Sequence, residues 1–328
     1  MINGAATVMF LRQKEKRMKR KIGLVLYAAI SLIFVLPPQS FLHDILHSFA
    51  VQAIIGYGLV GLFASFYRSM LTVAASFGAS LLIAGGLYVA QTSPASVIAN
   101  KIYPQDTVVR VAHFNVLCSN RQFQKMADSA RATQADLLSF QEVSADWGNK
   151  LEQLLTQEYP YYHIVTDQQH VSRGLAIFSK YPLEDVQTVY WHGMPNIVGD
   201  LRVQGESIHF IASHTQSPRN LGRYQHRNQH IRRIARYINT IDRPVLAIGD
   251  YNVVPWNPII QELTNATDLQ HSHTSWEPTF PSQLRGIGVP IDYIFHSPEF
   301  QCRKFKALPA SGSDHRGIVG EYLLNTEG

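Results

Sequence analysis

An α/β fold of two stacked β-sheets flanked by helices, preceded by transmembrane helices, is predicted by three observations. Eleven short stretches of strand composition follow residue 105, against few helical ones. The helical stretches carry apolar residues at a 3.6-residue period. Three long apolar runs precede all of this, directly after a basic N-terminal tail.

The tail accounts for the charge of the whole 328-residue chain. Arg12, Lys14, Lys16, Arg17, Lys19, Arg20 and Lys21 against Glu15 give residues 1–21 a net +6. The chain as a whole carries +5, so everything after Lys21 sums to −1. A near-neutral main domain disfavours a broad nucleic-acid-binding face.

The apolar runs cover 22–36, 45–67 and 71–89, the first ending at Pro37-Pro38. The later two come close to the ~20 residues that a helix needs to cross the hydrocarbon core. Gly56, Gly58, Gly61, Gly78, Gly85 and Gly86 punctuate them, as suits closely packed membrane helices. A cleaved signal peptide is disfavoured, because no small-residue cleavage site follows the first run and two more runs do. The basic tail should stay cytoplasmic, while the 37–44 loop carries no Lys or Arg and Arg68 lies in the next loop. Three spans then leave the rest of the chain on the outer, periplasmic side of the cytoplasmic membrane. The predicted organisation is a basic tail (1–21), a membrane anchor of about three helices (22–91), a linker (92–104) marked by Ser93, Pro94, Ser96 and Pro104, and one domain (105–328).

Within that domain, strands are expected at 107–115, 135–141, 162–166, 174–179, 186–190, 200–203, 207–213, 245–249, 291–296, 303–308 and 318–323. Phe123, Met126, Ala127 and Ala130 mark one helix, and Ile231, Ile234, Ala235 and Ile238 mark a longer one. So many short strands with few helices favour stacked sheets over a simple doubly wound sheet. Cys118 and Cys302 fall in strand-like stretches and read as small buried hydrophobes.

Polar residues of a particular kind recur at the strand ends: Asn115, Glu142, His214, Asp250 with Asn252, Asp292, and Asp314 with His315. Strand ends on one edge of a rigid scaffold are where sites are built. No Gly-rich phosphate loop or serine elbow occurs among them. Each taken alone has an ordinary role as a turn residue, a solvated strand end or a buried histidine. Together they hold what phosphate-ester cleavage requires: oxygen ligands for a hard cation, an acid or base near neutrality, and hydrogen-bond donors. Glu142 and Asn115 suit Mg²⁺ or Mn²⁺, Asp314 is a further candidate ligand, and His315 is the natural acid/base. Asp250 and Asn252 alternate along one strand edge and should point the same way.

The segments Phe114-Asn115-Val116, Phe140-Gln141-Glu142-Val143, Gly174-Leu175-Ala176-Ile177-Phe178-Ser179, Ser213-His214-Thr215, Gly249-Asp250-Tyr251-Asn252, Ile291-Asp292-Tyr293 and Ser313-Asp314-His315 occur in that order. The series resembles the endonuclease/exonuclease/phosphatase superfamily, and with the anchor it is similar to that superfamily's bacterial membrane-bound branch. Tyr251 stands where Phe is usual. The resemblance implies a DNase I-like four-layer sandwich and gives Glu142 and Asn115 the metal. It also implies that Asp292 orients His315, that Asp250 and Asn252 position the attacking water and one phosphate oxygen, and that His214 donates to the phosphate.

The expected activity is a divalent-metal-dependent phosphoesterase working at the outer membrane face, on a phospholipid, polyprenyl phosphate or related headgroup. An extracytoplasmic nuclease is the alternative within enzymes, and a membrane-tethered interaction module without catalysis is the alternative outside them. Arg219, Arg223, His226, Arg227, His230, Arg232, Arg233 and Arg236 form a basic segment that reads first as the solvated face of a helix. Arg219 and Arg223, just after His214, are the candidates for an anionic headgroup. Specificity should lie in loops 217–224 and 276–288.

Overall fold

The computed structural model describes residues 2–90, 107–272, 276–284 and 286–325, without the side chains of 2–8, 16 and 20. The chain forms two compact units, Met1–Ala90 and Gln91–Gly328. The expected linker lies outside the described residues.

The first unit is helical. Helix α1 (Ile2–Val35) joins the basic tail and the first apolar run into one element, ending before Pro37-Pro38. Proline lacks the N–H that would extend the helix. The second run is split, contrary to expectation, into α2 (Phe41–His47) and α3 (Ala50–Phe66), which meet at 59°. Ser48 stops α2 by turning both its N–H and its hydroxyl onto the Asp44 carbonyl. Helix α4 (Met70–Ala90) is the third run. A Cβ on Gly61 would come within 3.1 Å of Ser76, so glycine permits α3 and α4 to approach. The Tyr27 and Ser76 hydroxyls, 2.6 Å apart, tie α1 to α4. Leu59, Phe63, Phe66, Leu81 and Val89 face outward. Among the described residues α4 is long and apolar enough to cross a membrane, and the α2–α3 pair makes a second if it counts as one span.

The second unit contains strands β1 (Thr107–Asn115), β2 (Leu137–Gln141), β3 (Tyr161–Val165), β4 (Leu175–Ser179), β5 (Leu183–Trp191), β6 (Met194–Val203), β7 (Glu206–Ser213), β8 (Val245–Asp250), β9 (Gln270–His271), β10 (Asp292–His296), β11 (Phe300–Ala307) and β12 (Ile318–Leu324). Helices α5 (Phe123–Ala132), α6 (Ala145–Leu155), α7 (Leu221–Ile238) and α8 (Pro258–Thr267) complete it. One six-stranded sheet runs β11-β12-β1-β2-β4-β3 and the other β5-β6-β7-β8-β10-β9.

Strand period explains the layers. Val109 and Val111 of β1, Leu137 of β2, and Leu175 and Ile177 of β4 face the other sheet, meeting Phe210, Leu246, Ile248 and Ile294. The intervening Ala112, Phe114, Leu138 and Phe140 pack under α5 and α6 against Met126, Trp147 and Leu151. Ile211, Ala247, Tyr293 and Phe295 do the same under α7 and α8 against Ile231, Ile234 and Leu263. The result is helix, sheet, sheet, helix, as expected. Following the inter-sheet face along each strand, the side chains turn polar at one end: His113 and Asn115 in β1, Ser139 and Gln141 in β2, Asp250 in β8, Asp292 in β10.

Buried histidines make this fold acid-sensitive. His230 on α7 is 1% exposed, with Nε2 2.8 Å from Asn196 Oδ1. Burial, then the neighbouring His192 and His214, lower its pKa from 6.5 to about 3. The unfolded chain therefore binds a proton below pH 6.5 that the folded chain refuses. Stability is full above that pH and is lost as pH falls toward 3, at about 1.4 kcal/mol per pH unit. Denaturant unfolding of the full chain in detergent at pH 7 and pH 5 should show a loss of about 2 kcal/mol from this residue, absent in His230→Gln.

Candidate active site

The polar ends of the inter-sheet face form one cluster. Asp250 closes β8, and its Oδ1 accepts from Asn252 N at 2.8 Å. Its Oδ2 stands 3.7 Å from both His214 Nε2 and His315 Nε2. Asp292, the first residue of β10, lies in register opposite Asp250. Its Oδ2 accepts from His315 Nδ1 at 2.9 Å. Glu142 follows β2, and Cys118 N donates to its Oε2 at 3.2 Å. Asn115 directs Nδ2 to Glu142 Oε1 at 3.3 Å and to Asp250 Oδ2 at 3.5 Å. It thereby bridges carboxylates of the two sheets.

The backbone is distorted at this rim. Glu142 and Asn252 adopt φ values of 59° and 51°, and Leu117 one of 59°. Non-glycine residues in the left-handed region cluster where a site dictates side-chain aim. Gly249 at φ 150° lets β8 pass Gln141, whose Oε1 accepts from Asp250 N at 2.9 Å and whose Nε2 donates to Ser213 O at 2.6 Å.

Residues 112–315 match the model of the Endonuclease/Exonuclease/phosphatase family. The chain belongs to that family. Solved structures agree in fold. A family protein from Bacteroides thetaiotaomicron superposes with a TM-score of 0.59 at 17% identity, over 68% of this chain and 98% of that one. A mannosyl-6-phosphatase from the same organism gives 0.56 at 15%, over 65% and 99%. D. rerio TDP2 complexed with single strand DNA product gives 0.55 at 14%, over 66% and 99%. No curated protein matches the sequence. Members of the endonuclease/exonuclease/phosphatase family are metal-dependent phosphoesterases, and this chain is an enzyme of that kind.

The donor set fits a hard cation. Glu142 and Asp250 offer carboxylate oxygens, and Asp314 Oδ1 is buried with no hydrogen-bond partner among the described residues. Ligand atoms of Asp250, Asp292 and His315 also lie within 4.8 Å of one another. Both Asp292 oxygens, however, are engaged by histidines, Oδ1 by His113 Nε2 at 3.2 Å and Oδ2 by His315. Those bonds commit Asp292 to orienting the histidines and leave Glu142, Asp250 and Asp314 as the carboxylates that could hold a cation.

Electrostatics separate the carboxylates of this family site. Burial and then the Asp292 charge raise the pKa of Asp250. Burial opposes ionisation of Asp292 too, but His315 and the hydrogen bonds from His113 and His315 outweigh it and lower the pKa. His315 is raised despite burial, because Asp292 and Asp250 flank it. His214 is lowered by burial and is held neutral, its Nδ1 buried without a partner among the described residues.

The structure thus gathers Asn115, Glu142, His214, Asp250, Asp292 and His315, with Asp314 adjoining through His315. Two expectations, on Asn252 and Cys118, change. Asn252 does not alternate with Asp250, because β8 ends at Asp250 and the chain makes an Asx turn; its Nδ2 donates to Thr215 O at 3.0 Å. Asn115 turns its Nδ2 to the carboxylates, and its Oδ1 accepts from Leu117 N at 3.1 Å. Cys118 lies in the loop after β1, not in a strand. Arg219 and Arg223 are exposed, whereas Arg227 of the same segment is 1% exposed and donates to Asn252 O at 3.0 Å. His113 and Gln141 were not singled out from sequence as site residues. The signal for both was strand parity, each standing two residues from a polar strand end or within a quoted segment.

Proposed function

We propose that this phosphoesterase hydrolyses the phosphate ester of a membrane amphiphile, a phospholipid or polyprenyl phosphate, at the outer face of the cytoplasmic membrane. The observation that carries the chemistry is Asp250 Oδ2, unbonded to backbone and 3.7 Å from two imidazole nitrogens. A water placed there gives its proton to Asp250, whose raised proton affinity suits a general base. His315 already holds its proton, so it serves as cation and hydrogen-bond donor to the phosphoryl group, oriented by Asp292. Neutral His214 donates a further hydrogen bond, and Asn252, fixed by the Asx turn, lies beside it. Glu142, with Asn115 beside it, and Asp314 would hold a divalent cation, Mg²⁺ or Mn²⁺, which would supply charge neutralisation at the phosphoryl oxygens.

Two features support the amphiphile. The apolar helix α4 of the same chain suits a membrane anchor. Beside the site, loop 276–288 sets the Phe280 ring 4.8 Å from that of His315 and leaves Leu284 and Ile287 each 47% exposed. An aromatic ring against His315, with exposed apolar side chains a few residues further on, suits a hydrocarbon tail better than a polyanion. The nucleic-acid reading rests on the DNA-bound relative of the same fold.

Full-length protein in detergent, assayed with and without Mg²⁺ on short DNA, a phospholipid and a polyprenyl pyrophosphate, decides between them. Metal-dependent turnover of a lipid, reduced at least about 10²-fold in His315→Ala, is expected. Turnover of DNA alone would move the substrate class to nucleic acid, and inertness toward all three would remove the reading. In the lipid assay, Arg219→Glu/Arg223→Glu should raise KM for an anionic headgroup several-fold.

A further inference from the structure

We infer that His113 is a positioning residue that sets the aim of His315 by clamping the carboxylate between them, an inference that rests on the hydrolase reading above. His113, Asp292 and Ser139 are each fully buried. His113 belongs to β1 of one sheet and Asp292 to β10 of the other, so the 3.2 Å contact between Nε2 and Oδ1 crosses the seam. On its far side His113 Nδ1 stands 3.3 Å from the hydroxyl of Ser139, its register partner on β2. With the Ser139 hydroxyl donating to Nδ1, the ring proton sits on Nε2 and donates to Asp292.

An aspartate carboxylate turns freely about its last torsion, whose preference is broad. One histidine on one oxygen leaves that freedom largely intact. A second on the other oxygen fixes the plane, and with it the line along which His315 Nδ1 approaches at 2.9 Å. Since that bond also fixes where Nε2 points, the aim of His315 at Asp250 Oδ2 depends on a residue that never reaches the substrate. The chain Ser139–His113–Asp292–His315 has every member in place among the described residues.

The test is a double-mutant cycle in the full-length protein, read as kcat and KM for whichever ester the wild type hydrolyses. His113→Leu keeps the bulk and removes the donor; kcat should fall about 10- to 100-fold, as for other partners that orient a functional group, with KM within about twofold. His113→Gln, which can place an amide N–H near the Nε2 position, should recover kcat to within about fivefold of wild type. In an Asp292→Ala background, His113→Leu should cost less than about twofold, because the group it acts through is gone. Equal cost in both backgrounds, or wild-type kcat in His113→Leu, would overturn the inference and leave the hydrolase reading standing. A wild type inert toward every ester would overturn both.

Discussion

Asp250→Asn should lower kcat by about 10³-fold while changing KM less than about threefold, measured by phosphate release with Mg²⁺. The substitution keeps the scaffold. Asparagine Oδ1 still accepts from Asn252 N, and the backbone N–H still meets Gln141. What changes is the Oδ2 position, where an amide that cannot take a proton replaces the one oxygen facing both His214 and His315. The variant also removes a buried carboxylate from beside Asp292, so its thermal stability should equal or exceed that of wild type. Lost turnover with retained stability separates a chemical role from a structural one. A kcat loss below tenfold would transfer the base to the His315–Asp292 pair.

Gly249→Ala should destabilise the catalytic unit by more than about 4 kcal/mol, the range reserved for clashes that cannot relax. At φ 150° no L-residue is comfortable, and the added Cβ would overlap Ser213 O and Gln141 Nε2. Neither can retreat: one is strand backbone, and the other bonds both Ser213 O and, through its amide, Asp250 N. For a unit of this size the melting temperature should drop roughly 10 °C, followed by near-UV circular dichroism. A drop under about 3 °C would mean that β8 shifts easily past Gln141, and the fixed aim of Asp250 would then need another cause.

Six of the eight polar residues marked in the sequence as site members converge directly: Asn115, Asp250 and Asp292 are terminal strand residues, Glu142 and His214 directly follow strands, and His315 lies in the loop before β12. Where the strand ended early, the strand's two-residue alternation failed. Asn252 lies past the last residue of β8 in a left-handed turn that composition does not announce. His113 escaped notice inside an apolar run, although its parity with Asn115 put it on the same face. Arg227 reads as one more surface arginine until it is aligned with Ile231 and Ile234, four and seven residues on, which face the core. Helix α6 was hidden by Gly148 and Asn149, though Ser144 caps it by accepting from Trp147 N at 3.3 Å. Helix α8 was hidden because Asn257-Pro258 reads as a turn, while here it is an N-cap followed by proline in the first turn. Strand β6 begins with Met194-Pro195-Asn196, poor strand formers, and is held extended by β5 and β7 on either side.

The division of the site between the sheets has a consequence for how activity is gained and lost. Glu142, Asn115 and His113 come from one sheet, and Asp250 and Asp292 from the other. Neither half holds a working set of groups, so a chain with one sheet formed and the other still collapsing is chemically silent. Turnover therefore reports that one sheet has closed on the other. During heating it should vanish with the side-chain packing between the sheets, ahead of any loss of the strands themselves.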